Sequence, residues 1–351
     1  MPNGENSTRK QLAIPLVAAV AAGAAAMLAP TASTHASQGC DTRHLTIVTE
    51  SGNRGSPQGQ AIQRVAELAA EYSGGCLELE TFYQDQLGGP LELADQLSLG
   101  NIDILLGWPS SSFDSRLSAL HLPYLALTWE DAADTYGSAG WLSELVRPIF
   151  AENGLRYMGP FPEGFGGVAT RGDYATTIEG ASSIKVRSAP VFPLPQAVRA
   201  LGYQAVPIDW SETYTSIQTG VVDGDSSNII YWDYTYFRDL LDYYVHTRHN
   251  FSFFAFLMSQ RSWEDLGDSN QQAIARAIET VSEEQFEGAR AEDQKWIRRS
   301  QEAGIEYIEP SAEEMANLVE SVRAEVWANA EDSIGEELMQ AIRDNASDPD
   351  A

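Results

Sequence analysis

Short apolar runs alternate along this chain with longer segments whose apolar positions recur at helical spacing. Residues 44–49 and 77–83 read as strands, and residues 59–72 between them as a helix, which makes a strand-helix-strand unit with parallel strands starting at one end. The alternation continues with a helix over 91–99, a strand over 102–107, mostly helix over 129–150, and a strand over 154–158 that leads to a crossover near 161–165. A second unit starts near Gly166 and passes through 184–186, a helix over 193–201 and a strand over 205–207. Tyr214, Ile217 and Gln218 then fall at helical spacing, Gly220 can take the left-handed conformation that ends a helix, and Val221-Val222 reads as a short strand closed by Asp223-Gly224. After a return near 251–258, residues 269–304 predict a long helix with Ile274, Ala277, Ile278 and Val281 as its apolar stripe. Residues 345–351 read as a frayed tail. Short-spaced alternation of strands and helices predicts an α/β fold with parallel strands, and 351 residues suffice for two domains with separate cores.

Arg9 and Lys10 precede an uncharged run over residues 12–29, and Thr34-His35-Ala36 offers a small residue before a cut. Residues 1–36 therefore read as a secretory signal peptide, with a membrane anchor or lipidation of Cys40 as alternatives. Fifty acidic against 22 basic side chains give a formal charge of −28, which repels nucleic acid and excludes it as a partner. An anion site on such a surface has to be built locally from a particular cation. In an oxidising compartment Cys40 and Cys76, each just before one of two neighbouring parallel strands, are placed for a disulfide, with two free thiols as the alternative.

The segment Glu212-Thr-Tyr-Thr-Ser-Ile-Gln-Thr-Gly-Val-Val-Asp-Gly224 resembles the "YxxLQTGVVDG" signature of the solute-binding proteins of TRAP (tripartite ATP-independent periplasmic) transporters, the DctP family. Further elements recur in family order: Gln86-Leu87-Gly88 with Glu92, Leu97, Gly100, Ile102 and Asp103; Leu122-Pro-Tyr-Leu125; Ile184-Lys-Val-Arg187; Thr247-Arg-His249; and Met258 to Leu266. The resemblance implies a two-domain periplasmic binding protein of type II-like architecture, with a long helix spanning both domains. The boundaries it suggests are 41–164 plus about 253–292 for domain I, and 165–252 plus about 293–345 for domain II. It also implies a small organic acid or zwitterion as the solute, membrane permease subunits as partners, no cofactor, and a periplasmic location.

By the same resemblance Arg187 is the carboxylate-gripping residue, a role suited to the planar fork of a guanidinium. Where many members carry a second arginine, Gly164-Phe165 is followed here by Gly166, which argues against a dicarboxylate; Phe165 itself is a candidate contact. After Asp223-Gly224 the chain departs from the family's "QENP". One inserted residue brings Asn228 to the ligand-contacting position, and an ungapped reading brings Ser227 there. Trp108, Trp210 and Tyr231 lie near strand ends, where α/β clefts collect ligands, and core packing is their alternative role. Glu50, ending the first strand, would suit the cationic end of a zwitterion.

Nucleophile-elbow, phosphate-loop and His-Glu-x-x-His patterns are absent from the sequence, so no enzyme is expected. His246 and His249 lie in a segment that alternates like a strand, which would send them to opposite faces, and no metal site is expected. A ligand-binding sensor module, and after it a secreted hydrolase, are the alternative functions.

Overall fold

The N-terminal alternation folds as a parallel strand-helix-strand unit. In the computed structural model, which describes residues 40–348, β1 pairs with β2 from Arg43 opposite Leu77 onward, on either side of the helix Pro57–Tyr72. Cys40 and Cys76, just before those strands, form a disulfide with Cα atoms 5.7 Å apart. That bond takes the sulfur a lipid thioether on Cys40 would need. The expected signal peptide, residues 1–36, lies outside the described residues.

The strands run β1 (Arg43–Thr49), β2 (Leu77–Phe82), β3 (Ile104–Gly107), β4 (Leu155–Phe165), β5 (Val168–Thr170), β6 (Lys185–Ser188), β7 (Gln204–Pro207), β8 (Gly224–Ser226), β9 (Tyr243–Val245), β10 (Phe251–Ser259) and β11 (Glu306–Ile308). Among the described residues they make two sheets, in the orders β2-β1-β3-β10-β4 and β11-β9-β5-β8-β6-β7. The chain leaves the first sheet after Phe165 and returns at Phe251. The helix Asp268–Glu302 has the length the apolar stripe predicts, with Ile274, Ala277 and Ile278 fully buried. It packs on β4 and the helix Pro57–Tyr72 at one end, and on the helix Ile230–Phe237 and β11 at the other, so it spans both sheets.

Three expectations need correction. The strand of the signature segment is Gly224–Ser226 and not Val221-Val222. Past Gly220, at φ 78°, the amides of Val221 and Val222 turn back to the Ser216 carbonyl, and this closure of the helix Trp210–Thr219 delays the strand. Asp223-Gly224 therefore opens the strand, and Gly224 is required because a methyl group there would run into the Ala169 carbonyl of β5. Second, β4 runs on through the expected crossover to Phe165, paired with β10. Pro160 and Pro162 are tolerated because β4 is an edge strand whose pairing is interrupted by two irregularities, at Ser252/Phe253 and Phe256/Leu257. Third, β9 ends at Val245, so the two histidines are not placed by strand alternation. His246 meets the Tyr307 hydroxyl, while His249 is fully buried between the hydroxyls of Thr247 and Ser227. No group that could hold a metal occurs among the described residues. The expected tail is also partly docked, since the Ser347 amide donates to Leu125 and Arg323 donates to the Ser347 carbonyl.

Candidate functional site

Glu50 and Trp108 stand at strand ends because parallel strands deliver their C-terminal ends to one edge. Glu50 follows β1 and Trp108 follows β3, and the Trp108 amide donates to Glu50 Oε1 at 2.8 Å. Glu50 Oε2 lies over Gly107, where a methyl group would come within 2.7 Å, so the carboxylate occupies the space that the missing side chain leaves. Burial pushes the Glu50 carboxyl up to about 7, the Trp108 amide opposes this, and the Glu163 charge adds to it.

In the second sheet, Arg187 comes from the middle of β6, between β7 and β8, and its side chain is 6% exposed. Nε donates to the Ile208 carbonyl at 2.8 Å, and Nη1 approaches Asp225 Oδ1 of β8 at 3.4 Å. The guanidinium lies 5.6 Å from the ring centre of Trp210. Asp225, fully buried, also accepts the Ser226 amide and the Asn228 side-chain amide. Burial raises its pKa, while Arg187 holds it down. Beside it Asp233 is buried, with the Asn228 side chain as its polar neighbour. Burial, and then the Asp225 charge, push Asp233 well above the ordinary carboxylate range, which favours its neutral form.

Trp210 meets Trp232 edge-on, with ring centres 6.4 Å apart. Asn228 hydrogen-bonds Asp225, whereas the Ser227 hydroxyl is turned to His249, so of the two alignments the inserted one puts an amide beside Arg187 and Asp225. Tyr231 packs on Trp232 and on Trp296 of the long helix, and lines a cavity of about 1000 Å³ together with Gln58, Glu163 and Asp293. Trp108 stacks on His121 at 4.2 Å. Phe165 is 2% exposed and packs edge-on against Trp129 and Phe251, a core position and not the contact expected of it.

Sequence reasoning passed over Asp225, Asp233 and Glu163. The signals were weak: Asp225 directly follows the signature, Asp233 lies among aromatic residues farther on, and Glu163 sits between Pro162 and Gly164. Glu163 accepts Gln58 Nε2 at 2.7 Å, Ser252 Oγ at 2.7 Å and Trp232 Nε1 at 3.2 Å. Burial pushes its carboxyl up to about 7 against these three donors.

Comparison with known proteins adds a family to this geometry. The model of the bacterial extracellular solute-binding proteins, family 7 (DctP), matches residues 48–332. A solute-binding protein of Chromohalobacter salexigens is 26% identical over 260 residues, covering 72% of this chain and 75% of that protein. The ectoine-binding periplasmic protein TeaA of Halomonas elongata is 24% identical over 277 residues, covering 71% and 81%. The fold is similar to that of a TRAP periplasmic solute-binding protein of Ochrobactrum anthropi, solved with a C-terminus bound in its ligand-binding pocket. The TM-score is 0.79 at 23% identity, covering 87% of this chain and 94% of that one.

Proposed function

The chain belongs to the bacterial extracellular solute-binding proteins, family 7, and from that premise we propose that it captures a small carboxylate-bearing solute between its two sheets and delivers it to the membrane permease subunits of a TRAP transporter. The observation that carries this reading is the state of Arg187. Its Nε and Nη1 are committed to Ile208 and Asp225, which fix the guanidinium, and Nη2 has no acceptor among the described residues. A solute carboxylate fits that open donor, with Trp210 excluding water from one side.

Asp225 already balances the Arg187 charge, so a bare anion gains little net attraction here. A zwitterion avoids the difficulty, because its carboxylate meets Nη2 while its cationic end is taken by a carboxylate such as Glu50. The ectoine-binding relative supports this class of solute. Trp108, Trp210, Asn228 and Tyr231 are assigned to the walls of the cleft. The two lobes are taken as 41–164 with about 253–292, and 165–252 with about 293–345, and capture as their closure on the solute. No chemical step is assigned to the protein. The location is periplasmic, after cleavage of residues 1–36.

A thermal-shift screen over organic acids, sugar acids and zwitterionic compatible solutes, followed by calorimetry on the strongest, tests the reading. Stabilisation by a carboxylate-bearing solute that is lost in Arg187→Ala is the expected result. Binding confined to compounds without a carboxylate would remove the reading.

A further inference from the structure

Glu163 belongs to β4 of the first sheet, near the point where the chain passes to the second. Of its three donors, Gln58 and Ser252 come from first-sheet elements, the helix Pro57–Tyr72 and β10. The third, the Trp232 indole, comes from the helix Ile230–Phe237, which follows β8 of the second. The Glu163 carboxylate has no counter-cation within ion-pair distance among the described residues and is 7% exposed, so it depends on these donors. Trp232 is equally buried; its ring meets Trp210 edge-on, and Trp210 lies under the Arg187 guanidinium. The hydrogen bond from Trp232 to Glu163 is thereby connected, through two indoles, to the cation of the solute site.

Resting on the solute-binding reading of that site, we propose that Glu163 is a positioning residue for solute capture. By accepting the Trp232 indole across the two sheets it seats Trp210 on Arg187 when the lobes close. When they part, the indole is withdrawn, water replaces it on the carboxylate, and Trp210 is released from its place over Arg187. The same contact favours closure once a solute has ordered Trp210 from the other end, because coupling of this kind is reciprocal. The cavity lined by Gln58 and Glu163 lets water reach the carboxylate as the contact opens.

The test uses the mature chain with Glu163→Leu, which removes the acceptor, Trp232→Phe, which removes the donor and keeps a ring, and Glu163→Gln, which keeps an acceptor oxygen. The ¹⁵N resonances of the Trp210 indole and of Arg187 Nε are recorded with the better of two probes, ectoine and D-glucuronate, at saturation, and affinity for both is measured by calorimetry. Both disruptive variants are expected to move the Trp210 and Arg187 resonances and to weaken the better probe about tenfold, with Glu163→Gln recovering most of both. Resonances of Trp210 and Arg187 that stay in place in Glu163→Leu and Trp232→Phe overturn the proposal whatever the probes do. Should Arg187→Ala leave probe binding intact, the solute reading fails, while the resonances still decide whether Glu163 positions Trp210.

Discussion

In the first sheet Glu50 and Glu163 are carboxylates held by neutral donors, the Trp108 amide for one and Gln58, Ser252 and the Trp232 indole for the other, whereas in the second sheet Asp225 is held by the Arg187 guanidinium. Neutral donors do not fully replace water, and both first-sheet carboxyls rise to about 7. In the second sheet burial raises Asp225 and Asp233 as well, but Arg187 pairs with Asp225, so that side presents little net charge to a ligand. Arg187 thus resembles a fixed hydrogen-bond donor more than a free cation, and the unbalanced charge of the candidate site lies on the first-sheet side.

The largest expected effect comes from breaking the compensated pair. Arg187→Ala leaves Asp225 buried without its cation and should cost about 3–5 kcal/mol of stability, beyond any loss of solute affinity. Denaturant unfolding of the ligand-free variant measures it. A change below about 1 kcal/mol would mean that water already screens the pair, and the contrast between the sheets would disappear. Next in size is the disulfide, which belongs to the first sheet alone. Replacing Cys40 and Cys76 by Ser should cost about 3–4 kcal/mol in the chain-entropy model. Hydrogen exchange should locate the loss of protection in β1 and β2 and leave β6 and β8 unchanged.

Glu50→Gln has a smaller effect, whose sign depends on the solute. A zwitterion should lose about 1–2 kcal/mol of binding because a charge-assisted contact becomes neutral, whereas a simple anion should bind equally well or better. Calorimetry on wild type and variant with the same solute separates the cases, and a dicarboxylate as the tightest ligand would contradict the charge balance inferred for Arg187. The smallest effect is the pH dependence of the ligand-free protein. Glu50 and Glu163 have folded pKa values of about 7, above the ordinary 4.5, so between these limits the folded state holds more protons than the unfolded one. Their contribution to stability is fully present below about pH 4.5 and is lost as pH rises through about 7. Denaturation midpoints should fall from pH 5 to pH 8 in wild type and fall less in Glu163→Gln. An equal slope in both would show that Glu163 is ionised throughout.

Much of this was legible in the sequence because it is local. The helix Trp210–Thr219 and its closure at Gly220 follow from side-chain spacing and one residue's tolerance of positive φ. The long helix follows from its apolar stripe, and the disulfide from two cysteines placed before neighbouring parallel strands. Tertiary structure decided the rest. The edge position of β4 let a strand continue through Pro160 and Pro162 and put Phe165 in the core. The pairing of β6 with β8 set Asp225 against Arg187, a contact between residues 38 positions apart that no local pattern encodes. Whether a carboxylate is a solvated charge or a buried acceptor depends on what other elements bring to it, and for Glu163 those donors come from residues 58, 232 and 252. Backbone preference and hydrophobic period act over a few residues. The electrostatics of the candidate site arise between segments that meet only when the two sheets are assembled.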